Sequence, residues 1–185
     1  MQASPRRGAS HLSGRDRPLR EESARSSDIA LYGVYEISKL LTAPAQLEVT
    51  LARVLQLLSS FLDMRNALIA LLGENGSAEV VVGAGWSTSA AKRYFERLPE
   101  RAIGRIVVTQ MPLVVPDMKE DALFENWDFS EWGPGDTDLA FVGVPIKDRG
   151  RVIGTLTIDR ERTRDSYLRL DEDVRFLVMV ANLMG

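Results

Sequence analysis

The chain has 185 residues, 45% apolar and 26% charged, with a net charge of −3; it suits one soluble domain plus an appendage and excludes a field strong enough to draw nucleic acid or an anionic membrane. The absence of cysteine excludes disulfides, thiolate nucleophiles, thioether-attached pigments and cysteine metal sites, and the single histidine, His11, in a polar stretch, argues against histidine-ligated haem or zinc and a histidine triad. No apolar run approaches bilayer-spanning length and no apolar leader opens the chain, so a cytoplasmic protein is expected, with no membrane contact and no cofactor.

Residues 1–26 hold six arginines against Asp16, Glu21 and Glu22, with too few apolar groups to offset chain entropy. They read as a disordered basic tail, with a phosphate-touching arm as the alternative. The domain proper is expected over 27–185. Its first helix, 28–41, carries Leu31, Val34, Ser38 and Leu41 at helical spacing beside Tyr35 and Ile37, with Ser27 or Asp28 as cap. A second helix, 44–62, repeats Leu47, Leu51, Val54, Leu55, Leu58 and Phe61 or Leu62 on one face; Thr42 is its candidate cap and Pro44 sits in its first turn.

Ala67–Leu72 and Glu79–Trp86 read as a hairpin joined by Gly73-Glu74-Asn75-Gly76. Ser87 or Thr88 then caps a short helix to about Leu98. Ala102–Thr109 is a short amphipathic run, Gln110-Met111-Pro112 breaks it, and Leu113–Val115 is a short edge strand closed by Pro116-Asp117. An irregular acidic segment, 120–138, carries Phe124, Trp127, Phe129 and Trp132. Two strands, 139–146 and 151–159, follow around Lys147–Gly150. After a charged loop from Arg160 to Ser166, Asp171 is expected to cap a last helix bearing Val174, Leu177, Val178 and Ala181. Hairpins outnumber crossovers, so the fold class is α+β: a mostly antiparallel central sheet, helices gathered on one face, the acidic loop and short strand over the other.

No catalytic set emerges, and an enzyme is not expected. Asp136 with Asp138, and Asp171 with Asp173, read as a solvated loop and helix-terminus charge. Gly83, Gly85 and Gly104 lack phosphate-loop spacing. A binding pocket is the better reading. Trp86, Phe124, Trp127, Trp132 and Phe141 are large aromatics, and Trp127 and Trp132 lie on a loop placed to cover a concave site. Arg105 either pairs with an anionic ligand there or points to water. The alternative is a satellite cluster that seals the sheet.

The stretch 101–124 resembles the GAF domain, a small sensory α/β module, through Gly104, Thr109, Pro112, Val115 and Asp117. In that family the pattern forms one wall of the ligand pocket, which implies Val115 and Asp117 as pocket residues. Some GAF domains bind cyclic nucleotides through an Asn-Lys pair and a later aromatic-acidic segment. Asp159-Arg160 departs from the first half, while Tyr167, Asp171 and Glu172 keep the second.

The opening 30–72 is similar to that of the NifA family of Nif-specific regulators, through Leu31, Tyr35–Leu41, Pro44, Leu47, Leu51, Val54, Leu55 and Leu58. The resemblance implies a signal-input domain that controls an AAA+ ATPase acting on sigma-54 RNA polymerase, the ATPase and the DNA-binding element lying outside these residues. It implies a signal delivered by a PII-type protein, by an anti-activator or by 2-oxoglutarate. It also implies a homodimer, through residues 28–62 or the final helix, and no direct nucleic-acid contact by these residues. A receptor for a 2-oxoglutarate-like anion or a cyclic nucleotide is the alternative.

Overall fold

A computed structural model describes residues 16–85, 98–127, 129, 138–162 and 166–185, the backbone alone over 16–27 and 166–169. The sheet begins with β1 (Asn66–Leu72) and β2 (Ala78–Ala84), antiparallel and paired from Ala67↔Ala84 to Leu72↔Ala78. The Asn-Gly turn forms as its residues predict: Gly76 sits at φ 80, and Asn75 Oδ1 accepts from the Ser77 N–H at 3.0 Å. β4 (Leu139–Asp148) and β5 (Arg151–Glu161) form a second, longer hairpin. Its loop is two residues, Arg149 and Gly150, at φ 48 and 85, the positive pair a tight primed turn requires. The strands therefore run past the expected turn limits. β3 (Leu113–Val115) pairs with β4, and the order β2-β1-β5-β4-β3 is antiparallel throughout.

Side chains alternate across a strand, so register decides which residues share a face. Ala67 and Ile69 of β1, Ala140, Val142, Val144 and Ile146 of β4, and Leu156 and Ile158 of β5 form one buried layer. α1 (Asp16–Thr42), α2 (Leu47–Leu58) and α4 (Ser166–Met184) cover it. α2 contributes Leu51, Val54, Leu55 and Leu58, the expected stripe, but Leu47 is exposed. Its extended N-cap is Gln46, so Pro44 precedes the helix. Thr42 instead ends α1, its hydroxyl donating to the Ser38 and Lys39 carbonyls.

Two other helix starts differ from the sequence reading. α1 starts at Asp16 rather than Asp28. Residues 16–27 include three Arg and two Glu, good helix formers, and once the packed part exists, earlier turns need only propagation; Pro18 falls in the first turn, whose N–H groups have no helical partner. Residues 1–15 lie outside the described residues. The buried face of α1 is centred on Ile37, with Gly33 beside Phe176 and Phe61, whereas Leu31 and Tyr35 are exposed. α4 starts at Ser166, so Asp171 is inside the helix and is not its cap. The helix expected from Ser87 falls, over 86–97, outside the described residues.

A buried ion pair ties α4 to the sheet. Arg160, 3% exposed, donates from Nη1 to Asp173 Oδ2 at 2.5 Å, and its Nη2 lies 3.8 Å from Asp63 Oδ2 in the segment between α2 and β1. Removing one partner strips the other buried charge of its closest counter-charge. Asp173→Asn is expected to destabilise the chain by roughly 3–5 kcal/mol in urea unfolding, while Arg160→Met with Asp173→Leu recovers most of that loss. Equal losses in the single and double variants would contradict the pairing.

Candidate functional site

The opposite sheet face is narrower and more polar. Leu139 and Phe141 of β4, Thr157 and Asp159 of β5, and Asn66 and Leu68 of β1 point to it by the same alternation. α3 (Glu100–Thr109) packs here, away from the other helices, through Ala102 and Ile106. Gly143 of β4 admits it, because a Cβ there would stand 2.5 Å from Ile106 Cδ1. Gln110 ends α3 in the left-handed region at φ 56, its N–H donating to the Ile106 carbonyl, and Pro112 prevents continuation. The expected break and edge strand both form.

The segment after β3 closes this face and is clamped at both ends. Arg162, just past β5, donates to Asp117 Oδ2 at 2.7 Å and Asp138 Oδ2 at 3.2 Å. From α3, Arg101 Nη1 donates to the Ala122 carbonyl at 2.8 Å. Between the clamps a 3-10 turn, Ala122–Phe124, is capped by Asp121, which accepts from the Leu123 N–H at 2.8 Å. That turn drives Phe124 into the face, edge-on to Phe141 at 5.2 Å and to Trp127 at 6.0 Å between centroids.

Behind Phe124 lies a concave space of about 260 Å³, its mouth included, lined by Asn66, Leu68, Pro99, Met118, Phe124, Trp127, Phe141, Thr157 and Asp159. Its polar centre is Asp159, 8% exposed. Oδ1 accepts from the Asn66 backbone N–H at 2.9 Å and from Asn66 Nδ2 at 3.2 Å. Burial pushes this carboxyl up to about 8, against the pull of the Asn66 hydrogen bonds and of the Arg65 charge. Trp127 Nε1 is buried without a hydrogen-bond partner among the described residues.

Of the residues singled out from sequence, Phe124, Trp127 and Phe141 line the space. Val115 is buried in the cluster that supports it. Asp117 is held by Arg162 at the rim, and Arg105 is exposed on α3, away from the lining. Trp86 and Trp132 lie outside the described residues. Sequence reasoning passed over Asn66, Met118, Thr157 and Asp159. The signal available was Thr155, Thr157 and Asp159 alternating with Leu156 and Ile158 in a strand apolar on its other side.

The geometry matches a known family. A family model described as the GAF domain matches residues 46–185. The chain belongs to the GAF domain family. Among curated relatives, this GAF domain is 47% identical over 91% of its length to a Nif-specific regulatory protein of Azorhizobium caulinodans, and 47% over 86% to one of Bradyrhizobium diazoefficiens. It spans 27% and 28% of the length of those relatives. A solved structure, the A. aeolicus nlh2 GAF domain in an inactive state, shares the fold at TM-score 0.65 and 24% identity, covering 86% of this chain and 95% of that one.

Asp159 makes stability depend on pH. Its carboxyl holds a proton in the folded state to about pH 8, against about 4 when unfolded, so the stabilisation is complete below about pH 4 and lost as pH rises through 8. Relative to Asp159→Asn, which keeps an acceptor for Asn66, the wild type is expected to lose up to about 1.4 kcal/mol per pH unit across that window and then level off. Urea unfolding of both proteins from pH 5 to 9 measures this. A constant difference between them would contradict the assignment.

Proposed function

We propose that this GAF domain is the signal-input domain of a nitrogen-fixation transcriptional activator. In this reading it restrains or licenses an AAA+ ATPase elsewhere in the full-length protein, which acts on sigma-54 RNA polymerase in the cytoplasm, and it receives its signal by binding a PII-type protein. The observation that carries the proposal is the 47% identity to a Nif-specific regulatory protein over 91% of this chain, with only 27% of that protein spanned. A module of this kind needs a receiving surface and an output element. The clamped segment 117–127 and its continuation, with Trp127 at the rim, is the proposed docking surface. Leu31, Tyr32 and Tyr35, exposed on α1, are the proposed contact for a second copy in a homodimer.

A second reading, a small-molecule receptor, is favoured by the buried polar space beside Asp159. The space of about 260 Å³ includes its open mouth, and its enclosed part has room for little more than a water-sized group, so it suits a ligand group of few heavy atoms more than a cyclic nucleotide. With Arg105 outside the lining, a 2-oxoglutarate-like anion requires a donor other than that guanidinium.

Both readings are tested by titrating the 185-residue chain with a PII-type protein in a calorimeter. A complex is expected, lost in the Trp127→Ala, Trp132→Ala double variant while circular dichroism stays unchanged. No complex with the wild type would remove the protein-docking reading. A melting shift with 2-oxoglutarate alone would move the signal into the pocket, because a ligand of the native state raises its stability.

A further inference from the structure

The space beside Asp159 presents two polar groups of a particular kind. Both hydrogen bonds from Asn66 fall on Asp159 Oδ1, and Oδ2 takes neither. Trp127, whose indole N–H has no partner among the described residues, lines the same space. Among the described lining residues there is no cation. Arg65, the nearest basic residue along β1, pairs with Glu161 at 3.0 Å, and Arg162 with Asp117 and Asp138. The lining residues from β1, β4 and the covering segment, Asn66, Phe141, Phe124, Trp127 and Met118, carry no charge, and the Arg65 charge, shared with Glu161, is the cation that acts on the carboxyl. A buried carboxylate held mainly by dipoles is costly, and the cheaper state keeps the proton. The protonated group then offers an O–H, and the indole offers an N–H, so the space is furnished with donors.

We propose that this pocket takes a small molecule through a carbonyl or carboxyl oxygen that accepts hydrogen bonds from donors on Asp159 and Trp127, and that occupancy is coupled to retention of the Asp159 proton. The inference deepens the small-molecule reading above and rests on it. It makes Asp159 the residue that selects the ligand's polarity. The protonated carboxyl admits an acceptor or an anion, whereas the ionised one repels an anion and favours a cation. Ligand binding and proton binding therefore reinforce each other, as reciprocal linkage requires. Burial pushing the Asp159 carboxyl to about 8 places the change within reach of ordinary buffers.

The test uses the uniformly ¹⁵N-labelled 185-residue chain, with the Trp127 indole resonance assigned through Trp127→Phe. Sodium acetate and methylammonium chloride serve as acceptor and donor probes, at about pH 6.5 and about pH 9.5, between which acetate keeps its charge. Acetate is expected to move the Trp127 resonance at the lower pH and to bind at least about tenfold more weakly at the higher one. Asp159→Asn, which still offers an N–H donor, is expected to bind acetate equally at both, separating Asp159 from every other titrating group. Should that variant unfold, the wild-type pH profile and the preference between probes still decide. Acetate binding at Trp127 with one affinity at both pH values, or tighter binding of methylammonium at the lower pH, would overturn the inference and leave the small-molecule reading in place. No response of Trp127 to either probe at either pH would overturn both.

Discussion

The structure depends on the antiparallel pairing of β5 with β1 on one side and β4 on the other. With both registers fixed, Asn66↔Asp159↔Phe141 lie side by side across three strands, and the next residue, Arg160, faces the opposite layer. Two successive residues thus do opposite work. Asp159 is the buried polar group of the pocket face, while Arg160 anchors α4 through Asp173. A one-residue slip in either register would exchange them, placing an acidic group among the helices and a guanidinium in the pocket. That outcome is opposed by the whole buried layer from Leu156 and Ile158 to Leu177 and Val180.

Much of the architecture was legible from local patterns. Asn75-Gly76 and Arg149-Gly150 carry their turn geometry in the residues themselves, and Leu51, Val54, Leu55 and Leu58 carry the periodicity of α2. The short edge strand and its break were legible for the same reason, because Pro112 and Gln110 act within a few residues. Phe124, Trp127 and Phe141 stood out as large apolar groups beside a loop that has to cover something. What sequence alone did not yield is non-local. Asp159 is meaningful only through Asn66, 93 residues away in the chain, and Asp173 only through Arg160. Asp171 looked like a helix cap because an aspartate just before an apolar stripe is a cap signature, whereas α4 already starts at Ser166. Arg105 looked like a pocket residue because a pattern fixes position along α3 and says nothing of which way the helix turns.

Under the proposed function, reception and output lie on opposite faces of the sheet. The proposed receiving face is a small polar space behind aromatic residues on a segment that Arg101 and Arg162 hold in place. The proposed output side is the α1–α2–α4 layer, which leaves Leu31, Tyr32 and Tyr35 exposed. Between the two stands the thickness of one sheet, and β5 is the strand with an ionisable residue committed to each side. A change at Asp159 therefore has a short covalent path to the pair that holds α4.

The measurement that tests this account most directly is the titration of the Asp159 carboxyl carbon by ¹³C NMR in the full 185-residue chain. The account predicts a midpoint near pH 8, the mark of a carboxyl buried without a paired cation. A midpoint near 4, the ordinary range of a solvated aspartate, would mean that the face beside Asp159 is open to water and is not a donor-lined pocket.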